Sequence, residues 1–452
     1  MSSSRDGRPV GQGRWDGTVT LSEALQIAVA LHRKGETAEA EALYNRVLAA
    51  QPDQPDALHF LGVLHHQRGQ SAAAIDLIAR SLATLPEQPS ALTNLGNILV
   101  EQGRLAEAVE AYRKAIALEP GHAGAHSNLG LTLRALGHPD EAEAAYRRAI
   151  ELVPAHPEAN ENLGNLLIAQ GRAEEAIAAF WQAVIATPKS PKTRRLLAMA
   201  YDAVGETGKA LEILREWLAD EPSNPIAAHM YAACSREDVP QRASDAYIEQ
   251  TFDIFADSFD AKLAQLEYRA PELIAAALTR HIGPKAGKVA CLDAGCGTGL
   301  CGALVSPFVE HLVGIDLSSG MLQQAKKRGV YHELAKAELT EYLLGAPGAF
   351  DVIISADTLV YFGALDGVLS AAAGALRPGG LLVFTLEETT DPAGFSSYRI
   401  NSHGRYSHGR GYVQTLLDNA GLSTLDIEAA VLRQENLKPV DGMVITARRL
   451  GA

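Results

Sequence analysis

A repeat of 34 residues fills the first half of the chain and limits what that half can fold into. Glycines and prolines each recur six times at this spacing: Gly35, Gly69, Gly103, Gly137, Gly171 and Gly205, and Pro52, Pro86, Pro120, Pro154, Pro188 and Pro222. Alanines and, four residues later, larger side chains recur between them: Ala40, Ala74, Ala108, Ala142, Ala176 and Ala210, and Tyr44, Ile78, Tyr112, Tyr146, Phe180 and Leu214. Because the intervening segments show helical apolar spacing, each repeat is predicted to form two helices, with glycine in the turn and proline after the second helix.

The repeat resembles the tetratricopeptide repeat over roughly residues 21–224. Leu-Gly pairs in four repeats supply the signature of its first helix: Leu61-Gly62, Leu95-Gly96, Leu129-Gly130 and Leu163-Gly164. The first and sixth repeats have Ile27-Ala28 and Leu197-Ala198 instead, and terminal repeats are commonly atypical. The resemblance implies a six-repeat α-solenoid over residues 20–224 that binds a protein or peptide in its groove. A flexible tail over 1–19 and a capping helix or linker over 225–240 are expected to flank it.

Asparagines form a further column of the repeat. Asn94, Asn128 and Asn162 each precede a Leu-Gly pair, and Asn97 and Asn165 lie one turn further on. An amide both donates and accepts, so it can pair with the backbone of an extended peptide. In some proteins with similar repeats such a column lines the groove and holds peptides. Peptide binding is therefore one interpretation of the column, and hydrogen bonding within or between the repeat helices is the other.

After Pro240 the period stops, and short β-rich runs alternate with helical ones. The predicted strands are Val289 to Ala294, His311 to Leu317, Val330 to Glu338, Phe350 to Asp357, Gly380 to Glu387, Leu425 to Arg433 and Met443 to Arg448. This alternation predicts a seven-stranded, mostly parallel α/β sheet that binds ligands at the carboxyl ends of its strands. The last two runs have only a short connector between them, which predicts an antiparallel C-terminal hairpin at the sheet edge.

The first predicted strand leads into a glycine-rich loop, Asp293-Ala294-Gly295-Cys296-Gly297-Thr298-Gly299-Leu300. Leu300 stands where a dinucleotide motif has its third glycine, and no Lys-Ser/Thr follows as in a phosphate-binding loop. The glycines therefore predict close approach of the backbone to a ligand without phosphates. Asp316 ends the second strand, 21 residues after Gly295, where an acidic side chain is placed to bond ribose hydroxyls.

These features resemble a class I S-adenosylmethionine-dependent methyltransferase over residues 241–452. The resemblance implies a Rossmann-like fold and S-adenosyl-L-methionine as cofactor, with Gly295 and Gly297 at its methionine end, Asp316 on the ribose and Glu338 on the adenine amine. Six further residues complete the predicted cofactor site: Asp293, Cys296, Gly299, Leu317, Met321 and Leu339. Two of them have a structural alternative, since Asp293 can cap the following helix and Met321 can belong to the core.

The acceptor side of the predicted site comes from two segments. Asp357 and Tyr361 follow the fourth strand, where the resemblance places the transferable methyl group. A polar segment further along contains His403, Arg405, Tyr406 and His408. Histidine is the usual base near neutral pH, so the two histidines are predicted as catalytic residues and Arg405 and Tyr406 as substrate-binding ones. A solvated loop is the alternative for this segment.

Composition excludes several classes of function. A formal net charge of −14 argues against sequence-independent binding of nucleic acid, which needs an excess of Lys and Arg. No run of 18 apolar residues is present, so no membrane-spanning helix is expected. The four cysteines show neither a disulfide framework nor metal-ligand spacing, so we expect no metal site and a cytoplasmic location.

Three functions are compatible with the sequence. The first is a methyltransferase whose repeats recruit a protein or a polymer-bearing partner. The second is a methyltransferase for a lipid, quinone, sugar or carrier-linked acceptor, in which the repeats localise or oligomerise the enzyme. The third is a scaffold that binds S-adenosylmethionine or its product without turnover. The intact glycine loop and Asp316 favour an enzyme over a scaffold.

Overall fold

A computed structural model describes residues 20–282, 289–389, 397–435 and 438–451. The chain forms two compact units, Met1–Asn162 and Leu163–Ala452. The first unit contains paired helices, and the second contains further paired helices followed by an α/β sheet. The expected tail over residues 1–19 lies outside the described residues, and the domain boundaries given above remain predictions.

The repeat region folds into helix pairs, as the sequence predicts. Its helices are α1 (Leu21–Arg33), α2 (Thr37–Ala50), α3 (Pro55–Gln67), α4 (Ser71–Thr84), α5 (Pro89–Glu101), α6 (Leu105–Leu118), α7 (Ala123–Ala135), α8 (Pro139–Leu152), α9 (Pro157–Ala169), α10 (Ala173–Ala186), α11 (Pro191–Ala203), α12 (Thr207–Asp220) and α13 (Pro225–Ser235). The six turn glycines have φ between 71° and 82°, which glycine adopts without strain. Proline begins many of the helices, because it has no N–H to leave unpaired in the first turn.

Small residues let neighbouring helices approach closely in every repeat. All six members of the alanine column are 0% exposed. The glycine of each Leu-Gly pair faces the larger side chain of the same repeat. A methyl group added at Gly130 would lie 2.7 Å from the Tyr146 ring, and one at Gly164 would lie 2.5 Å from the Phe180 ring. Packing between the two helices of a repeat therefore requires these glycines.

The sheet of the second unit has nine described strands. They are β1 (Ala290–Ala294), β2 (His311–Asp316), β3 (Glu333–Lys336), β4 (Phe350–Ser355), β5 (Leu376–Glu388), β6 (Tyr398–Ile400), β7 (Tyr406–His408), β8 (Leu422–Glu435) and β9 (Lys438–Arg449). The remaining helices are α14 (Asp245–Asp253), α15 (Phe259–Gln265), α16 (Ala270–Ile282), α17 (Leu300–Val305), α18 (Ser319–Arg328), α19 (Leu339–Leu344), α20 (Asp366–Ala375) and α21 (Arg410–Asn419).

The strand order is β3-β2-β1-β4-β5-β7-β6, and β9 pairs with both β5 and β8. Strands β1 to β5 are parallel to their neighbours along this path, whereas β8 and β9 form the expected antiparallel hairpin. The mostly parallel α/β fold is thus confirmed, and all seven predicted strands are present. The sequence does not indicate β6 and β7, because strands of three residues are too short to show an alternating pattern.

Helices cover both faces of the sheet. Leu292 of β1 packs in a core cluster with Leu369 of α20 and Leu417 of α21, whereas Cys291 packs in another with Ile274 and Leu278 of α16. This packing leaves the carboxyl ends of the parallel strands at one edge, where a ligand site is expected. Within the four described ranges, no helix combines the length and the apolar character that crossing a membrane requires.

We predict that Gly164→Ala lowers the free energy of unfolding by about 1–3 kcal/mol, since its methyl group meets a rigid aromatic ring. Gly208→Ala is the matched control, because that glycine also lies in a repeat helix but has open space around its missing Cβ. Alanine there should be neutral or stabilising by up to about 1 kcal/mol. Urea unfolding followed by circular dichroism measures both changes, and equal effects of the two variants would contradict the packing argument.

Candidate functional site

A cavity of about 270 Å³ lies at the carboxyl ends of β1, β2 and β4. Most of the residues that line it belong to the glycine loop, to the segments that follow these strands, or to the apolar side chains of α14 and α15. The lining includes Arg242, Ile248, Phe252, Phe259, Leu263, Tyr268, Asp293, Gly295, Cys296, Gly297, Asp316, Leu317, Met321, Glu338, Leu339, Asp357, Thr358, Tyr361, Arg405, Arg433 and Glu435. The structure therefore brings together most of the predicted cofactor residues, which are spread over more than 40 positions of the sequence, from Asp293 to Leu339.

The glycine loop follows β1 with three residues in the left-handed region. Gly295, Gly297 and Gly299 have φ of 77°, 54° and 86°. A methyl group at Gly295 would lie 2.1 Å from the Thr358 hydroxyl oxygen, so no larger residue fits there. Gly295, Cys296 and Gly297 line the cavity. Gly299 does not; it precedes α17 as the N-cap residue, and its role in the loop is structural.

Asp293 is buried beneath this loop. Its Oδ2 accepts a hydrogen bond of 2.7 Å from the Tyr331 hydroxyl. Its buried Oδ1 has no close hydrogen-bond partner, although the nearby Gly302 N–H of α17 stabilises the carboxylate. Burial raises the pKa of Asp293 to about 7. A buried carboxylate oxygen without a partner is costly, and Asp293 also lines the cavity. The arrangement suits a cationic ligand group next to the glycine loop.

Asp316 ends β2 and ties the loop to the next helix. Its Oδ2 accepts from the Gly297 N–H at 2.9 Å, and its Oδ1 accepts from the Ser318 N–H at 2.8 Å. Burial raises the pKa of Asp316. Each oxygen has a second lone pair, so the carboxylate can accept two further hydrogen bonds from a ligand. Leu317 and Met321 continue the cavity wall. Met321 is also 1% exposed, so it belongs to the core as well as to the predicted cofactor site.

Glu338 lies at the start of α19 and lines the cavity with Leu339. Its Oε2 accepts from the Glu341 N–H at 2.8 Å, which makes it the N-cap of this helix. Its Oε1 lies 4.0 Å from the Arg242 Nη1. The Oε1 also accepts a hydrogen bond of 3.3 Å from the Thr340 hydroxyl, so both oxygens contact α19 and Oε1 in addition faces a charged neighbour on the cavity wall.

Asp357 follows β4 in a backbone conformation that is rare for residues other than glycine, with φ of 51°. Its Oδ1 accepts from the Thr385 hydroxyl at 3.0 Å, and its Oδ2 pairs with the Arg433 Nη1. Burial raises the pKa of Asp357, and the Arg433 guanidinium opposes that rise. Tyr361 stands four residues further, in the turn after β4, and both residues line the cavity.

Asp357 belongs to a network of five charged side chains. Arg433 also pairs with Glu387, and its Nε donates to Glu435 at 2.6 Å. Arg405 donates to Glu387 at 2.6 Å and to both oxygens of Glu435 at 2.7 Å. Burial alone would raise the pKa of Glu435, but Arg405 and Arg433 bring it down to about 2. Two guanidinium groups thus face three carboxylates, which leaves one formal negative charge in excess.

Sequence reasoning missed Arg433, Glu387 and Glu435 as site residues. Arg433 and Glu387 have side chains only 4% and 6% exposed, and each is the last residue of a predicted strand. Charged residues at the ends of buried strands are the one signal that was present. Their partners could not be identified, since the pairs are separated by 46 and 76 residues along the chain.

Of the four predicted residues in the segment from 403 to 408, Arg405 lines the cavity and the other three do not. His408 is 0% exposed and lies with its Nε2 3.1 Å from the Gly363 carbonyl oxygen. Burial lowers the pKa of both His403 and His408 to about 4. Tyr406 is buried and donates its hydroxyl to the Pro240 carbonyl oxygen at 2.7 Å. Neither histidine lines the cavity, and the His403 Nε2 lies 3.8 Å from the Glu387 Oε2 of the charged network.

An apolar lid, formed by α14 and α15, closes one side of the cavity with Ile248, Phe252, Phe259 and Leu263. Carboxylates anchor it to the loop and to α18. Asp253 accepts from the Ser318 hydroxyl and from the Gly320 N–H. Asp260 accepts from the Thr298 hydroxyl and from Arg328, and Asp257 accepts from Gln324.

Three members of the predicted asparagine column, Asn94, Asn97 and Asn128, make hydrogen bonds within the array. The Asn94 Nδ2 lies 2.8 Å from the His59 Nε2 on the preceding repeat. Asn97 accepts from the Tyr112 hydroxyl at 2.7 Å and from Asn128 at 2.9 Å. Asn162 and Asn165 occupy the corresponding positions of α9. These contacts favour the structural interpretation for Asn94, Asn97 and Asn128, and peptide binding remains a prediction.

The chain matches two kinds of protein family. Residues 292–384 match a family described as "Methyltransferase domain". Residues 25–90, 127–191 and 167–234 match families described as "Tetratricopeptide repeat", and residues 96–137 match one described as "TPR repeat".

Part of the chain is similar to named methyltransferases. Methyltransferase-like protein 27 of Homo sapiens is 35% identical over 140 residues, which cover 30% of this chain and 55% of that protein. Malonyl-(acyl-carrier protein) O-methyltransferase of Serratia marcescens is 27% identical over 138 residues, which cover 30% of this chain and 51% of that protein. The chain spans about half the length of these two relatives.

One solved structure, of PilF from Pseudomonas aeruginosa, aligns with a TM-score of 0.42 and 19% identity and covers 47% of this chain and 96% of that one. Together with the helix pairs and the sheet described above, the family matches lead to one conclusion. The chain carries tetratricopeptide repeats within residues 25–234 and a methyltransferase domain that includes residues 292–384.

Proposed function

We propose that the chain is an S-adenosylmethionine-dependent methyltransferase whose repeats recruit the partner that carries the methyl acceptor. The observation that carries the first part is Asp316, whose two oxygens each keep a lone pair beside the glycine loop. The methyltransferase domain and the methyltransferases similar to it support the same conclusion.

The residues on the cavity fit this cofactor. Gly295 and Gly297 let the backbone approach its methionine end, and the unpaired oxygen of Asp293 suits the ammonium group there. Asp316 can accept both ribose hydroxyls. Glu338 is the candidate for the adenine amine, through its Oε1, which has a second lone pair beside the hydrogen bond that it accepts from Thr340. The formal negative excess in the network around Asp357 favours a positively charged group at that end of the cavity, such as a sulfonium.

When bound, S-adenosylmethionine supplies an electrophilic methyl group, so the chain's residues need mainly to align the acceptor and exclude water. The apolar side chains of α14 and α15 cover one side of the cavity, which limits the access of water to it. Asp357, Tyr361 and Arg405 line its acceptor end, which we define by these three residues. We assign the histidines at 403 and 408 no part in proton transfer, and Asp357 is the carboxylate placed to take a proton from an acceptor that must lose one.

The role of the repeats is also a proposal. Tetratricopeptide repeats typically present extended binding surfaces for other chains, which supports recruitment of a protein partner. A second candidate is a small or carrier-linked acceptor, as in the Serratia marcescens relative. The lid favours it, because the apolar side chains of α14 and α15 line one side of the cavity and suit an apolar or carrier-linked group.

We predict that Asp316→Ala in the full chain weakens binding of S-adenosylhomocysteine by about 1.5–3 kcal/mol, or roughly 10- to 150-fold, because charge-assisted contacts to the ribose are lost. Isothermal titration calorimetry measures the change. Asp366→Ala is the control, since that aspartate is exposed at the start of α20. Equal affinity of the Asp316 variant and the unaltered chain would show that the ribose acid is misassigned.

The affinity for S-adenosylhomocysteine should rise about tenfold between pH 6 and pH 8. At pH 6 the Asp293 carboxyl, with its pKa of about 7, is mostly protonated and must release its proton to pair with the ligand's ammonium group. Above this pKa the Asp293 carboxyl is already ionised, so pairing with the ammonium group requires no release of a proton. Asp293→Asn should remove this dependence of affinity on pH. Isothermal titration calorimetry at pH 6, 7 and 8 measures the affinity of both proteins. A flat profile in the unaltered chain, or the same slope in the variant, would rule out the ammonium contact.

Transfer itself is tested with methyl-tritiated S-adenosylmethionine, the full chain and a size-fractionated extract of the cells that produce it. We expect label in a macromolecular fraction, and none with Asp316→Ala. Label only in small molecules would refute recruitment of a macromolecular acceptor and support the second candidate. No label in any fraction, together with tight binding of S-adenosylhomocysteine, would identify a non-catalytic scaffold.

A further inference from the structure

Helix α13, which follows the sixth repeat, contacts the methyltransferase domain through His229. This side chain is 5% exposed. Its Nε2 lies 2.8 Å from the Gly404 carbonyl oxygen, and its ring packs on Tyr247 with centroids 4.0 Å apart. Because a carbonyl oxygen can only accept, Nε2 must carry the proton. Burial lowers the pKa of His229, so the ring is neutral near pH 7 and still makes this bond.

The contact with Gly404 lies one residue from the acceptor end of the cavity. Gly404 sits in the turn between β6 and β7 with φ of 90°. A methyl group there would lie 2.7 Å from the Tyr247 hydroxyl and 3.2 Å from the His229 ring, so the three groups pack without spare room. The turn is closed by the Asn401 N–H donating to the Arg405 carbonyl oxygen at 2.8 Å. Arg405 then extends its guanidinium to Glu387 and Glu435.

The contact with Tyr247 reaches the lid. Tyr247 is 2% exposed and belongs to α14. Its ring lies 6.5 Å from that of Tyr361, which lines the acceptor end. The same helix supplies Ile248 and Phe252 to the cavity wall. One side chain of α13 therefore touches both elements that border the acceptor end.

We propose that His229 is a positioning residue for the acceptor end of the cavity. Its N–H holds the 401–405 turn, and with it Arg405, whereas its ring holds α14. Naming this end the acceptor end rests on the proposed function, but the two contacts do not. A residue of the helix that caps the repeats thus takes part in shaping the site of the domain that follows.

The two contacts can be separated by two substitutions in the full chain. His229→Phe keeps a ring and loses the donor, whereas His229→Gln keeps an N–H donor and loses the ring. Hydrogen–deuterium exchange with mass spectrometry reports local opening of each segment. We expect exchange in residues 397–409 to be about fivefold faster in the Phe variant, with α14 unchanged, since one hydrogen bond is lost. In the Gln variant we expect faster exchange in α14 and unchanged exchange in residues 397–409.

His59→Ala is the matched control. His59 is also buried in a repeat helix, packs on the Phe60 ring at 4.8 Å and bonds Asn94. Its loss should leave exchange in residues 397–409 and in α14 unchanged. Because no ligand is added, the result is independent of whether the cavity binds S-adenosylhomocysteine.

Three results would overturn the proposal. In the first, neither variant changes exchange in either segment. In the second, either variant accelerates both segments alike. In the third, either variant loses protection throughout residues 163–452, which would show that His229 only supports the fold.

Discussion

The ends of four strands are held together by one buried set of charges. Asp357 follows β4, Glu387 lies in β5, Arg405 precedes β7, and Arg433 and Glu435 end β8. Removing these charges from water is costly, so the network persists only because each member is paired. Loss of one partner would leave an uncompensated buried charge, at a cost of about 3–5 kcal/mol. The position of the acceptor end, the strained backbone at Asp357 and the placement of β6 and β7 all depend on this pairing.

Glu387 shows how the network shapes the sheet. It pairs on one edge of β5 with Gly442 of β9 and on the other with Ser407 of β7. The strand β4 leaves β5 after Phe384, and β7 takes its place beside the last residues of β5. Because β5 changes its neighbour from β4 to β7 at this point, the sheet is interrupted next to Asp357. A wall of charged and aromatic side chains can therefore form where a continuous parallel sheet would be closed.

Local patterns predicted the features that are encoded locally. The 34-residue period predicted the helix pairs, because each glycine and proline acts on its own turn. The glycine loop and Asp316 could be predicted as well, since the carboxyl ends of adjacent parallel strands must meet.

Features that depend on distant contacts could not be predicted. His229 meets Gly404 across 175 residues, and Arg433 meets Asp357 across 76. The polar segment with its two histidines suggested catalysis, but tertiary packing buries His408 and leaves only Arg405 on the cavity. The composition of this segment could not show which of its side chains are buried and which line the cavity, because the residues that pack against it lie in other elements.

The most direct test of the central claim is a crystal structure of the full chain with S-adenosylhomocysteine. The account predicts that the ribose hydroxyls lie within hydrogen-bonding distance of Asp316 and that the amino-acid end of the ligand lies on Gly295 and Gly297. A ligand bound elsewhere, or one whose ribose makes no contact with Asp316, would contradict it.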